Sequence, residues 1–253
     1  MASSPDAPSK ARGAPSEVRR PATILHTSDC HLDRVDGGSA QRAFAAMVDA
    51  AIDLDVDLVL IAGDLFDHAR IGDDVLDWTA RRLADVGRPV VLLPGNHDVL
   101  DAGSVYHRFD LRARCPNLLF LGAPEGRAVE VPGTDVIVWG RAMTEHAPTF
   151  RPLLSPPPRV DGRWLILAGH GLAVPSAAAG SGRSSPILPE DLDDLDADYV
   201  ALGYLHVHEI IRTRPLTAYS GATARSRGGM PGYVLVHLVP GRPAGLEWQA
   251  LHT

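Results

Sequence analysis

The sequence predicts an α/β domain built on a parallel sheet, and three observations carry that expectation. Short apolar runs recur along the chain, and each closes on a polar cluster at its C-terminal end. Between the first three runs lie stretches whose apolar residues fall at helical spacing. The composition, 45% hydrophobic and 22% charged over 253 residues, is that of a globular chain long enough to bury a sizeable core.

Residues 1–21, "MASSPDAPSKARGAPSEVRRP", are Pro, Ser, Ala and charge without apolar periodicity. They cannot bury enough surface to offset the entropy of ordering, so a disordered tail is expected there, with the folded domain over 22–253. "ATILHTSDCH" then reads as a strand ending in Asp29 and His31, and "SAQRAFAAMVDAAID" as an amphipathic helix. "DLVLIAGDLFD" is a strand ending in Asp64 and Asp67, "DDVLDWTARRLADVG" a second helix, and "PVVLLPGNHD" a strand ending in Asn96, His97 and Asp98. Alternating strand and helix implies right-handed crossovers and a parallel sheet covered on both faces, which suits such continuous apolar runs. Further on, "RWLILAGHG" ends in His170 and "ADYVALGYLHVHE" in His206 and His208. "VPSAAAGSGRSSP", from Val174 to Pro186, reads as a long flexible loop of the kind that is usually functional. "GYVLVHL" and "GLEWQAL", separated by "VPGRPA", read as a closing hairpin.

Charge and cysteine content narrow the function classes. A net charge of −7 argues against a generic polyanion-binding surface, although a local basic groove is compatible with it. Cys30 and Cys115 are too few for a disulfide framework and lack zinc-type spacing. No run is long and apolar enough for a membrane span and no signal peptide is evident, so a cytoplasmic protein with no membrane association is expected.

In open α/β sheets the ligand site lies outside the carboxyl ends of the strands, where all five polar clusters converge. An Asp after one strand is commonly a helix cap, a His after one strand a satisfied loop residue, and "PGNHD" alone could be a turn. Five strand ends each carrying Asp, Asn or His form a pattern that those readings do not produce together. Carboxylate, imidazole and amide oxygen without thiolate suit Mn, Fe, Co or Zn, and Ca is a poor match to so much imidazole. The ligand types exceed what one ion needs. A two-metal site is expected, with a bridging carboxylate and ions roughly 3.5–4 Å apart, a device for phosphoester hydrolysis.

These residues carry a family resemblance. "DCH" (Asp29 to His31), "GDLFD" (Gly63 to Asp67), "GNHD" (Gly95 to Asp98), "GH" (Gly169-His170) and the late "LHVH" resemble, in order, the DxH, GDxxD, GNH(D/E), GH and GHxH motifs of the calcineurin-like metallophosphoesterases. The resemblance runs from about Thr23 to about Gly221; "ILHTSDCHL", "YVALGYLHVHE" and "YSGAT" look most like the SbcD-type DNA repair exonucleases. It implies a four-layer fold, two packed β-sheets flanked by helices. SbcD-type nucleases carry a capping region beyond this core, and the chain is expected to end where that region begins.

The resemblance also implies roles. Asp29 and His31 would bind the first metal, Asp64 would bridge, and Asn96 and His170 would bind the second. His97 would stand beside the phosphate as the catalytic acid or charge stabiliser, with Asp98 orienting it. Asp67 would fix the loop carrying Asp64, or serve as a helix-start carboxylate. One motif departs. Aligned without a gap on "ALG", the family's first late histidine falls on Tyr204 and its second on His206; shifted by two residues, His206 and His208 restore the motif. The gapless alignment is favoured, because the loop after the strand must deliver its ligand at a fixed distance. It places His206 on the first metal and deprives the second of an imidazole. Cys30 and His26 read as core residues, and His107, His146, His237 and His252 receive no role. Arg225 and Arg227 are either phosphate-backbone contacts or residues of a solvated loop.

The function implied is hydrolysis of a phosphodiester, DNA or nucleotide, or of a phosphomonoester, with two divalent cations, Mn foremost, and a partner ATPase of SbcC type. The competing class is a metal-binding regulatory or scaffold module with weak or no turnover, because the late motif is altered.

Overall fold

The computed structural model describes residues 19–33, 38–176, 185–225 and 229–252. Two six-stranded sheets pack face to face. In the first, β1 (Ala22–Thr27), β2 (Leu58–Ala62), β3 (Val90–Leu93) and β4 (Leu118–Phe120) are parallel neighbours, and the antiparallel hairpin of β13 (Gly232–Leu238) and β14 (Gly245–Ala250) extends the sheet beside β1. In the second, β6 (Val136–Gly140), β7 (Trp164–His170), β10 (Tyr199–Gly203) and β12 (Leu216–Tyr219) are parallel, with β5 (Arg127–Glu130) and β11 (Glu209–Thr213) antiparallel at the two edges.

Period-two alternation explains why the strands read as unbroken apolar runs. On β2, Leu58 and Leu60 enter the core between the sheets, while Val59 and Ile61 face the outer core beneath the helices. That outer core is roofed by α1 (Ser39–Asp53) and α2 (Asp73–Asp85). Ala40, Ala43, Phe44, Met47, Val48 and Ala51 make one buried stripe on α1. On α2, Asp73 and Asp74 at the start and Arg82 in the last turn complement the helix dipole. The short helices α3 (Val105–Arg108) and α4 (Leu111–Arg114) add to that roof, whereas the second sheet is covered more thinly, by the two-stranded ribbon of β8 (Leu172–Ala173) and β9 (Pro186–Ile187), by α5 (Pro189–Asp193) and by a connecting segment that brings in Leu153. The fold is therefore two mixed sheets flanked by few helices. The closing hairpin stands where its sequence places it, whereas β5, β6, β11 and β12 complete a sheet of which only β7 and β10 are legible from their apolar runs.

Two polar features hold the layers in place. Arg19 stacks 3.6 Å from the Trp164 ring centroid, and Arg20 bonds Asp135 at 2.7 Å. These contacts lie at the N-terminal ends of the second sheet's strands, and they fall inside the stretch expected to be tail; residues 1–18 lie outside the described residues. Between the sheets, fully buried His26 on β1 meets the Tyr199 hydroxyl on β10 at 2.9 Å through Nδ1.

Burial pushes the His26 pKa down to about 3, with a further downward push from His208. Below about pH 6.5 the unfolded chain takes up a proton that the folded chain refuses, so stability falls with pH in that window. The difference in unfolding free energy between the wild type and His26→Leu is expected to shift against the wild type by about 1.4 kcal/mol per pH unit between roughly pH 6 and pH 4. Denaturant titrations across that range check it, and a pH-independent difference contradicts it.

Candidate metal centre

The polar ends of β1, β2, β3, β7 and β10 meet at one rim, because parallel strands in both sheets deliver their carboxyl ends to the same side. Asp29, His31 and Asp64 all adopt left-handed backbone, with φ of 52°, 46° and 54°. Asp and His tolerate that region better than most side chains. The turns are secured by backbone bonds that continue the pairing of the two strands past their ends: Asp29 N to Gly63 O at 3.0 Å and His31 N to Asp64 O at 3.1 Å. The glycines before the motif residues are required by space. A Cβ on Gly63, itself at φ +97°, would stand 2.0 Å from His170 Nδ1, and one on Gly95 would stand 2.1 Å from Asp64 Oδ1.

Two donor groups share one oxygen. In the first, His206 Nε2 lies 3.0 Å from His31 Nε2 and 3.5 Å from Asp29 Oδ1, and Asp64 Oδ2 is 3.9 Å from His31 Nε2. In the second, the same Asp64 Oδ2 lies 3.3 Å from His170 Nε2, which faces Asn96 Oδ1 at 3.0 Å. Asp64 Oδ1 is tied off separately by the His97 backbone N–H at 2.8 Å. His170 Nδ1 is 2.8 Å from Ala62 O and donates its proton there, so the neutral ring presents a lone pair at Nε2. Three acceptors then converge with no donor among them. With a proton taking that place, burial opposes the charge on His170, but Asp64, Asp29 and the Ala62 carbonyl together outweigh it and lift the pKa to about 9. Burial also pulls the His31 pKa down, against Asp64 and Asp29.

The supporting residues exchange the tasks expected of them. Asp98 does not orient His97. Buried in the wall, it accepts from Gly95 N at 2.6 Å through Oδ1, and through Oδ2 from Leu65 N at 2.9 Å, Phe66 N at 3.2 Å and the Tyr106 hydroxyl at 2.5 Å. It therefore fixes the loop after Asp64, the task expected of Asp67. Asp67 instead serves the histidines: its carbonyl lies 2.8 Å from His97 Nδ1, and its carboxylate approaches His31 Nδ1 at 2.9 Å without an aligned hydrogen bond. The physical reason is reach. Buried Asp98 points inward from a turn whose peptides crowd around it, while Asp67 remains at the rim.

The pattern of the family described as calcineurin-like phosphoesterase matches residues 22–209. The chain belongs to that family. It is 33% identical over 233 residues to the DNA double-strand break repair protein Mre11 of Haloferax volcanii, covering 86% of this chain and 49% of the relative. It is 27% identical to the SbcD component of the nuclease SbcCD of Bacillus subtilis, covering 89% of this chain and 68% of that one. The chain thus spans about half the length of the Haloferax protein. A dimetal phosphatase of Danio rerio superposes with a TM-score of 0.61 at 11% identity, covering 90% of this chain and 96% of that one, which shows a shared fold.

Calcineurin-like phosphoesterases bind divalent metals, and the residues here fit that cargo. Ligand atoms about 2.1 Å from a common ion stand roughly 3 to 3.5 Å apart, the scale of the closer contacts above. Asp29 Oδ1 is buried without a hydrogen-bond partner, facing His206, an arrangement that a cation resolves. Carboxylates of Asp29 and Asp64, imidazoles of His31, His170 and His206 and the Asn96 amide are a donor set for a transition-metal ion.

The late motif is resolved in space. His206 reaches the first group, whereas His208 Nδ1 bonds Tyr219 O at 2.8 Å and its ring stacks on Trp248 at 6.1 Å. Tyr204, at φ 106°, gives its N–H to Asp29 Oδ2 at 3.1 Å and sets its ring 5.6 Å from that of His170. Cys30 and His26 are buried in the core, Arg225 is exposed, and Arg227 lies outside the described residues. Tyr106 and Ser28, which bond Asp98 and Asp29, escaped the sequence reading; a hydroxyl beside a motif carboxylate is too common a feature to signal them.

Replacing His206 with Ala is expected to abolish tight metal retention through dialysis, while His208→Ala retains it. Metal stoichiometry by mass spectrometry checks this, and loss in the His208 variant contradicts the geometry.

Proposed function

We propose that the chain is a phosphodiesterase, with DNA as its foremost substrate class, working at a centre of two divalent cations with Mn as the native metal. The observation that carries this reading is the single oxygen, Asp64 Oδ2, presented to both donor groups. Asp29, His31 and His206 would hold one cation and Asn96 and His170 the other, with Asp64 serving both, and such a pair would supply Lewis-acid charge on the phosphoryl oxygens and an activated water. His97 stands at the open rim with its side chain 43% exposed, edge-on to His31 at 4.6 Å. With Nδ1 donating to the Asp67 carbonyl, Nε2 is the atom left to face the substrate, and it would give a proton to the leaving oxygen from the doubly protonated ring. The relatives named for DNA repair and nuclease function support DNA over a monoester, and an SbcC-type ATPase partner belongs to the same proposal.

A second reading is favoured by Tyr204. A phenol is a poorer ligand for these ions than an imidazole, which would leave a metal-holding scaffold with little turnover.

Hydrolysis of bis-p-nitrophenyl phosphate and of single-stranded DNA is expected to require added Mn, to stop in strong chelator, and to be abolished in Asp64→Asn; full activity in chelator contradicts the two-cation reading. His97→Ala is expected to keep its metal while turnover falls on the order of 10²-fold or more, and a variant stripped of metal would make His97 a ligand instead. Tyr204→His is expected to raise the rate at limiting Mn. No turnover by the wild type together with turnover by Tyr204→His selects the scaffold reading.

A further inference from the structure

The segment Tyr219–Thr223, "YSGAT", starts on the last residue of β12 and contributes no donor to either group. It nevertheless touches both sides of the first. Toward β1, Ser220 Oγ lies 2.8 Å from Ser28 Oγ, and Thr223 Oγ1 lies 2.8 Å from Thr27 Oγ1 and 3.2 Å from Cys30 Sγ. Thr223 also donates to Ser28 O at 3.2 Å, and the backbones form a parallel bridge between Ser28 and Ala222. Toward β10, Ala222 N donates to His206 O at 3.3 Å and Ser220 N to Leu202 O at 3.4 Å. Gly221, at φ +79°, lets the segment pass this close, since a Cβ there would stand 2.9 Å from His208 N.

The hydroxyls form a directed chain. Each serine has one proton to give. Ser28 Oγ gives its proton to Asp29 Oδ2, so Ser220 is the donor between the two serines, its one proton lying between Ser28 Oγ at 2.8 Å and the second acceptor, Gly221 O, at 3.0 Å. Asp29 Oδ2 is then saturated by the Ser28 hydroxyl and the Tyr204 N–H. The carboxylate cannot rotate without losing both bonds, and Oδ1, buried and unpartnered, is left aimed at His206.

We propose that Ser220 is a positioning residue for Asp29, acting through Ser28, and that "YSGAT" thereby sets the metal affinity of the first donor group from the opposite sheet. This inference rests on the reading of Asp29 as a metal donor.

The test uses the full chain and cobalt(II) alone, read by calorimetric titration and by the visible absorption of the bound ion, with the thermal midpoint of the metal-free chain recorded for each variant. Losing a partner that orients a ligand weakens metal binding by roughly 10- to 100-fold, and Ser28→Ala is expected to do so at the tighter site. Ser220→Ala, one step removed, is expected to weaken it by about 3- to 10-fold and to alter the absorption band. The double variant is expected to match Ser28→Ala alone, since Ser220 acts only through Ser28. Thr223→Ala, in the same segment but bonded to Ser28 only at its backbone carbonyl and not in the hydroxyl chain to Asp29, is expected to lower the midpoint with affinity unchanged. Should Ser220→Ala behave like Thr223→Ala, or should the two serine effects multiply, the inference is overturned. Where Ser28→Ala does not fold, Ser220→Ala decides alone. A wild type that binds no cobalt overturns the two-cation reading and this inference with it, whereas a wild type that binds beside an unmoved Ser220 variant overturns only the inference.

Discussion

The carboxylate of Asp64 is the constraint on which the rest of the rim depends. Buried between two sheets, it has one oxygen tied to the His97 amide and the other presented to imidazoles on both sides. A buried charge with no donor facing it is costly unless a proton or a cation fills the gap. Around it the backbone turns left-handed at three donor residues, glycines clear space for a ring and an oxygen, and Asp98 gathers the peptides of the following loop. Each of these features is unfavourable or idle alone and makes sense as support for that one side chain.

The two donor groups are not equal. The first gathers Asp29, His31 and His206, two imidazoles to one carboxylate; the second gathers Asp64 and His170 with Asp29 in reach and the neutral Asn96 amide beside them, and Tyr204 stands next to His170. Anionic and imidazole donors bind these ions better than an amide oxygen does. Just past the end of β10, Tyr204 sets its ring beside His170 while its N–H holds Asp29.

The packing of two parallel-stranded sheets explains why ligands from distant parts of the chain meet. β2 and β7 point their carboxyl ends to the same rim, so Asp64 and His170, more than a hundred residues apart, share an ion-sized gap. The sheets are locked by the apolar layer between them and by the His26–Tyr199 bond that crosses it. At the opposite end Arg19 and Arg20 anchor the entering chain on Trp164 and Asp135, far from the chemistry.

By itself the sequence determined the first three strands, the two long helices, the closing hairpin and the donor types, because apolar periodicity and polar residues at strand ends are local signals. It also determined the family, through five ordered motifs. Only the tertiary structure decided which support serves which ligand. Asp67 and Asp98 are both carboxylates three or two residues beyond a motif residue, and nothing local distinguishes a side chain that turns back into the wall from one that stays at the rim. Where His206 and His208 stand was likewise decided by the second sheet, which carries one ring to His31 and stacks the other on Trp248. The hydroxyl chain through Ser220 was invisible for the same reason: its links join residues 192 apart, and a serine carries no periodicity that could announce a partner in another sheet.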